Sequence, residues 1–286
     1  MENIFEREDL VEYLESCLME DVGEKDITTD AILAEERMGN AKIISKDTGI
    51  ISGIRIAGIL FELVDEDLEF NSNFIDGDKV KNGDVIISLS GNIKSILMAE
   101  RVTLNFMQRM SGIATATYKY VKEIEGTGAK IYDTRKTAPG LRLLDKYAVT
   151  SGGGSNHRIG LYDMFLIKEN HIAAAGGLTN AINLCWDYKT DEELDCKIQI
   201  EVRNFAELEE VLKSDKIDMV LIDNFSIEEM AKAVLMVNHK IEVEASGGIT
   251  FDNIRKVAET GVDRISVGAL THSVKAFDLS LLIENL

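Results

Sequence analysis

At 286 residues the chain has room for one large domain or two modest ones, with a real core. Its net charge of -19, from 50 Asp and Glu against 31 Lys and Arg, leaves no broad basic face to neutralise phosphates, which argues against nucleic acid as a partner. No apolar run nears the roughly 20 residues that span a bilayer. The opening MENIFEREDL lacks a signal-peptide core, and the cysteines, Cys17, Cys185 and Cys196, are scattered and odd in number. Reduced thiols in a cytoplasmic protein are therefore expected, not a disulfide framework.

Taken in order, Arg7 to Glu20 reads as an amphipathic helix, with Leu10, Leu14, Cys17 and Leu18 on one face. In EDVGEKDITTD that follows, Thr28, Thr29 or Asp30 is expected to cap a short turn. From Asn40 to Gly91 the pattern changes to strands at Ala41–Ser45, Leu68–Phe74 and Val85–Leu89, with a helix over Ile54–Leu63. This reads as a small α+β unit. Ser95 to Glu125 is the longest helical stretch, and Ser111-Gly112 is a natural break within it. A domain boundary is placed there.

After Lys130 the chain alternates strand and helix. Strands are expected at Ala129–Tyr132, Met164–Ile167, Lys197–Val202, Met219–Ile222, Ile241–Ala245 and Arg264–Val267. Between most of them lie helical segments: Leu141–Val149, Leu178–Tyr188, Phe205–Lys213, Ile227–Val237 and Phe251–Glu259. The last four strands recur about every 22 residues, the rhythm of a parallel sheet with crossover helices. Near-continuous apolar strands such as Met219–Ile222 fit a helix-covered barrel, although six strands fall short of eight. The C-terminal AFDLSLLIENL is one more apolar segment, strand or helix, and a candidate to rejoin the first domain.

Polar residues collect where these strands end, and in a parallel barrel all such ends meet at one face. The stretch Lys130–Ile172 is a cationic island, with seven Lys or Arg against four Asp or Glu, two of the four histidines and the only proline. Arg135, Lys136, His157, Arg158 and Lys168 stand there beside a Gly152-Gly153-Gly154 loop. Any one of them alone is an ordinary solvated charge; together they suit a small, multiply charged anion. Glu201 and Asp223 end apolar strands and need partners: Mg2+ on a diphosphate, ribose hydroxyls, or a salt bridge to Arg203 or Lys136. Ser246-Gly247-Gly248 and Gly268 follow the last two strands, where such barrels bind phosphate. No nucleophilic triad, P-loop or GxGxxG motif is present.

The runs ERVTLNFMQRMSGIAT, DTRKTAPGLRLLDKYAV, GGGSNHRIGLYDMFLIKENHI, IEVRN, LIDNF, EASGGI and SVGALTHS, in that order, resemble the quinolinate phosphoribosyltransferase family. The likeness covers nearly the whole chain. It departs at Lys25, where a Gly is often found, which affects only a local turn. It implies an α/β fold: an N-terminal α+β sandwich-like domain over residues 1–112, rejoined by 275–286, then an incomplete parallel α/β barrel over 113–274. It implies a dimer, or a higher oligomer, whose site borrows Arg101 from the neighbouring subunit. By motif match Arg135, His157, Arg158 and Lys168 hold quinolinate, and Lys136 contacts 5-phosphoribosyl 1-diphosphate. Glu201 and Asp223 serve the ribose and Mg2+, directly or through water or substrate. Ser246, Gly247, Gly248 and Gly268 cradle the 5′-phosphate. Lys136, Lys168, Glu201 and Asp223 are the residues expected to act in catalysis.

Three other readings stand beside this one. A sibling phosphoribosyltransferase associated with molybdenum transport is expected to carry an apolar residue where Lys168 stands. A nicotinate phosphoribosyltransferase would release no CO2. A non-catalytic anion-binding barrel would not need Glu201 and Asp223.

Overall fold

The structure, a computed structural model, describes residues 4–33 and 35–284. Met1–Asn3 of the polar opening stretch and Asn285–Leu286 of the C-terminal apolar run lie outside the described residues. After a 3-10 turn at Ile4–Glu6 the elements run α1 (Glu8–Val22), α2 (Ile27–Ile32), β1 (Met38–Ser45), β2 (Gly49–Ile50), α3 (Ile54–Val64), β3 (Glu69–Asn71), β4 (Lys79–Val80), β5 (Val85–Asn92) and α4 (Ile93–Glu123). They continue with β6 (Lys130–Tyr132), α5 (Arg142–Ser151), β7 (Phe165–Ile167), α6 (Glu169–Ala175), α7 (Leu178–Asp191), β8 (Ile198–Val202) and α8 (Phe205–Val211). The last are β9 (Met219–Asp223), α9 (Ile227–Val237), β10 (Glu242–Ser246), α10 (Ile254–Ala258), β11 (Arg264–Ser266), α11 (Ala269–His272) and β12 (Leu279–Ile283).

These elements group into two compact units. The first takes the chain up to Tyr118, then Leu143–Gly153, then everything from Val274 onward. The second takes Lys119–Arg142 and Gly154–Ser273.

In the first unit an antiparallel sheet runs in the order β12-β1-β5-β3. β1 alternates as a half-buried strand must: Ala41, Ile43 and Ser45 are buried, while Lys42 and Ile44 are not. Its buried face meets Ile86, Ile87 and Leu89, the apolar side of α3 (Ile54, Ala57, Phe61) and Ile93, Ile96 and Met107 of α4 in one cluster. The C-terminal run is a strand, since β12 pairs antiparallel with β1 from Ala41↔Ile283 to Ser45↔Leu279. The cap of α2 is Asp26, whose carboxylate accepts the Thr28 and Thr29 N–H groups, and not Thr28, Thr29 or Asp30.

The break expected at Ser111-Gly112 does not occur: α4 is continuous for 31 residues. Both residues serve packing instead. Ser111 Oγ is buried, donates to the Ser52 carbonyl at 3.0 Å and accepts the Ser52 N–H at 3.0 Å. Gly112 leaves space that the Lys275 carbonyl occupies, so a Cβ there would overlap it. Next to this contact the Phe277 N–H reaches the Gln108 carbonyl at 2.9 Å, and Gln108 Nε2 donates to the Leu279 carbonyl at 3.0 Å. The returning chain is thus fastened to α4. The opening of the triple glycine has a similar reason, since a Cβ at Gly152 would overlap the Ala114 carbonyl of α4. Arg109 clasps the fully buried Asp145 of α5 through two 2.8 Å bonds, the bidentate geometry that justifies burying a carboxylate.

The second unit is a six-stranded parallel sheet in the order β6-β11-β10-β9-β8-β7. All six strands expected from the sequence are present. Their near-continuous burial, complete from Met219 through Ile222 in β9, follows from helices covering the sheet. β6 and β7 remain the two edges, which makes the barrel incomplete. Asn204 caps α8, and Ser226 with Glu229 forms a capping box on α9, so the crossover helices start where their sequences direct. The short helices α6 and α11 were not expected. Among the described residues no helix is long and apolar enough to cross a membrane.

Replacing Gly112 with Ala forces a methyl group against a backbone carbonyl that cannot rotate away. The variant should lose about 1–3 kcal/mol of stability, read as a lower urea midpoint at unchanged slope. A wild-type midpoint would show that the close approach at Lys275 is dispensable.

Candidate active site

In a parallel sheet every strand delivers its last residue to the same edge. The registers make this concrete: Ser246 lies beside Asp223, Val202 beside Ile222, and Ile167 beside Ile200. At this edge a cleft of about 710 Å³ is lined by Arg135, Lys136, His157, Arg158, Lys168, Glu201, Asp223, Ser246, Gly247 and Gly248. The cleft therefore gathers every predicted site residue except Gly268, which the second unit also contains, and Arg101. Gly268 stands at the start of α11 against Lys136 and His272, whose atoms would lie 3.2 and 3.3 Å from a Cβ there. Arg101 lies on α4 in the first unit, exposed, with Glu100 at 3.7 Å. Of the triple glycine, none lines the cleft.

The cations are unequally held. Arg158 is only 8% exposed, and its Nη1 donates to the Met164 carbonyl at 3.2 Å. Its Nε is buried with no hydrogen-bond partner. Burial, and then the Arg135 charge beside it, lower the guanidinium pKa. A buried donor left unsatisfied next to a second cation costs free energy that a bound anion would recover. Lys168 Nζ instead faces Glu201 Oε2 at 3.2 Å. Neither salt-bridge partner considered for Glu201, Arg203 or Lys136, takes it: Arg203 turns to Glu169 at 2.6 Å and Glu207 at 3.0 Å. The neighbouring His171 serves α6, where its Nδ1 accepts the Lys168 N–H at 3.0 Å.

Asp223 accepts a 2.7 Å bond from Asn224 Nδ2. Asn224 is left-handed, at φ 57°, and its N–H donates to the Ser246 carbonyl at 2.9 Å. That packs Asn224 against Gly247, whose φ is 84° and where a Cβ would overlap the Asn224 side chain. Gly248 follows at φ 63° with open space beside it. The two glycines present bare backbone to the cleft, as close approach to a phosphate requires.

Beneath these groups lies a polar floor that the sequence reading missed. Glu244 is fully buried on β10. Its carboxylate accepts Gln199 Nε2 at 2.8 Å and the Ser266 hydroxyl, and lies 3.4 Å from His157 Nε2. Burial pushes its pKa up, but the hydrogen bond and electrostatic attraction of His157, with the hydrogen bonds from Ser266 and Gln199, outweigh that and leave it lowered. The available signal was polar residues at strand positions whose neighbours are apolar: Gln199 within IQI, Glu244 within VEA, Ser266 within ISV.

Among the described residues no three His, Cys, Asp or Glu side chains form a cluster able to hold a metal. Glu201 and Asp223, at adjacent strand ends, suit Mg2+ in the form it usually takes: one or two carboxylates, with water and substrate phosphates completing the shell.

Two family models match the chain: "Quinolinate phosphoribosyl transferase, N-terminal domain" over residues 26–111 and "Quinolinate phosphoribosyl transferase, C-terminal domain" over residues 113–282. Among similar proteins, quinolinate phosphoribosyltransferase (decarboxylating) 1b of Nicotiana tabacum is 42% identical over 291 residues, covering 96% of this chain and 83% of that one. The probable nicotinate-nucleotide pyrophosphorylase (carboxylating) of Bacillus subtilis is 40% identical over 272 residues, covering 95% and 92%. The solved structure of the nicotinate-nucleotide pyrophosphorylase from Francisella tularensis superposes with a TM-score of 0.91 at 42% identity, covering 96% of each chain.

Replacing Gly247 with Ala strains a left-handed residue and displaces Asn224. Inorganic phosphate should bind about tenfold more weakly or worse, as strain of roughly 1–3 kcal/mol implies. Calorimetric titration measures this, and unchanged affinity would detach the glycine pair from phosphate binding.

Proposed function

This chain belongs to the quinolinate phosphoribosyltransferase family, and on that premise we propose how its cleft performs the family's reaction. The enzyme transfers the phosphoribosyl group of 5-phosphoribosyl 1-diphosphate to quinolinate and releases pyrophosphate and CO2, leaving nicotinate mononucleotide. The observation that carries this reading is that one cleft is lined both by Arg135, Arg158 with its orphaned Nε, and Lys168 and by the carboxylates Glu201 and Asp223. A planar dicarboxylate meets the cations, and a ribose diphosphate meets the acids and the Gly247-Gly248 backbone. A cation about 4 Å from an anion is worth roughly 4 kcal/mol at an effective dielectric near 20. Several together offset the desolvation of two carboxylates.

The chemistry asks little covalent work of the protein. The pyridine nitrogen carries its own lone pair, so no general base is needed. It attacks the anomeric carbon, and the bond to pyrophosphate breaks with its electrons leaving on oxygen. Arg135, Arg158 and Lys168 hold the ring so that the nitrogen faces that carbon. Lys136, beside Gly268 and His272, neutralises charge on the phosphates. The alkylated ring is a pyridinium. It accepts the electron pair of the adjacent C–CO2 bond, and a solvent proton then fills the ring carbon. Glu201 and Asp223 would hold Mg2+ delivered with the diphosphate, and the ion would supply neutralising charge for the leaving group. Lys168 pairs with Glu201; a carboxylate of quinolinate would compete for Lys168 and leave Glu201 to the ribose.

A second copy of the chain supplies Arg101, whose side chain is well exposed on α4. The three free cysteines suit a reducing compartment such as the cytoplasm.

The deciding assay follows quinolinate loss and labelled CO2 release with and without phosphoribosyl diphosphate and Mg2+. Nicotinate consumed without CO2 release would favour the nicotinate enzyme, and binding without turnover the anion-binding barrel. Lys168→Ala and Arg135→Ala should each lower kcat/KM for quinolinate by roughly a hundredfold or more, as loss of a charge-assisted contact in a desolvated site does. Near-normal kcat/KM would remove them from the site. Mixed with Arg135→Ala, inactive Arg101→Ala should regain activity in hybrid dimers; no recovery would refute the shared site.

A further inference from the structure

We infer that Asn224 is a positioning residue for Asp223: seated in the space left by the missing side chain of Gly247, its carboxamide holds the Asp223 carboxylate ready for the phosphoribosyl diphosphate. The inference deepens the functional reading above and rests on it, since it takes Asp223 to meet that substrate.

Asn224 follows the last residue of β9 and stands between the acid and the glycine pair. Of the four non-glycine residues described at positive φ, Glu193, Asn224, Asn238 and His239, it is the one that lines the cleft. Its φ of 57° is open to glycine and tolerated by asparagine better than by most other residues. Such a conformation persists where its surroundings hold it. Here the Asn224 N–H donates to the Ser246 carbonyl at 2.9 Å, extending the register in which Ser246 lies beside Asp223. The side chain turns back, and its Nδ2 donates to Asp223 Oδ2 at 2.7 Å. On its far side a Cβ at Gly247 would overlap Asn224 Oδ1 and Cγ.

These contacts fix which way the carboxamide faces. A carboxylate only accepts, so the amide nitrogen points to Asp223 and the amide oxygen to Gly247. The Gly247 backbone leaves the carboxamide no room to swing toward β10. With Oδ2 of Asp223 engaged, Oδ1 is the oxygen presented to a ribose hydroxyl or to Mg2+. A carboxylate fixed beforehand gives up less rotamer freedom when the ligand arrives. The bond is exposed to water in the open cleft and strengthens once a ligand covers it.

The phosphate loop has a hold of its own. Asn253 Nδ2 donates to the Gly248 carbonyl at 2.9 Å, and Asn253 Oδ1 accepts the Thr250 N–H at 2.9 Å. Losing the Asn224 carboxamide should therefore be felt at Asp223 and not at the phosphate.

Asn224→Gly isolates this role. Glycine takes positive φ without strain and keeps the N–H bonded to Ser246, so only the carboxamide is lost. A urea midpoint near that of wild type checks the fold. Calorimetry then measures binding of phosphoribosyl diphosphate with Mg2+, and of inorganic phosphate alone. The Kd for phosphoribosyl diphosphate should rise about fivefold or more, as loss of a hydrogen bond to a charged group implies, while that for phosphate changes less than about twofold. In an Asp223→Ala background the same substitution should cost less than about twofold, because the group it positions is gone. Wild-type affinity in Asn224→Gly, equal loss for both ligands, or an undiminished cost without Asp223 would overturn the inference and leave Asn224 as a turn residue. Wild type that binds no phosphoribosyl diphosphate would overturn the functional reading, and the inference with it.

Discussion

A parallel sheet cannot place its strand ends on opposite sides, and most of this molecule's chemistry descends from that constraint. Six strands between Lys130 and Ser266 run the same way, so residues more than a hundred positions apart finish on one edge. Lys168 after β7 meets Glu201 in β8, and Ser246 of β10 lies beside Asp223 of β9. The helices that return the chain are interchangeable as far as the site is concerned. What matters is that each sets the next strand in register.

The cleft is an electrostatic arrangement as much as a cavity. The cations are not all waiting for a ligand. Lys168 has a carboxylate already, Arg203 is diverted to Glu169 and Glu207, and Arg158 alone among the lining cations has a buried nitrogen without a partner. Below them a charged layer is closed by hydrogen bonds from Gln199 and Ser266 to Glu244. Burying that carboxylate is tolerable because its lone pairs are occupied, and it stiffens the floor in return.

Much of this was legible in the sequence. The six strands were marked by apolar runs of four to six residues, and the strand-end residues followed from them. The family resemblance supplied roles that spacing alone left open. What was not legible has physical reasons. Ser111-Gly112 carries a turn signature, yet a helix tolerates both when one bonds sideways to Ser52 and the other admits the Lys275 carbonyl. α11 is too short for periodicity to show, at 4 residues, and α6 has no buried residue and so no apolar face to mark it. Gln199 and Ser266 look like lapses in apolar strands until the sheet aims them at one point. Gly152 looked like a ligand loop beside cationic residues, and its true neighbour is a carbonyl on α4. Contacts of this kind depend on the approach of distant segments, which no local pattern encodes.

The pairing of β1 with β12 sets the order in which the protein can come into being. β1 ends at Ser45 and its sheet partner begins at Leu279, so nearly the whole chain must leave the ribosome before the first unit's sheet is complete. Until then β1 is an edge strand with unmet N–H and C=O groups, the kind of surface on which nascent chains stick to one another. The second unit's strands, by contrast, are all made by Ser266. The sheet that contains β1 is therefore completed, by β12, only after all six strands of the second unit have been made.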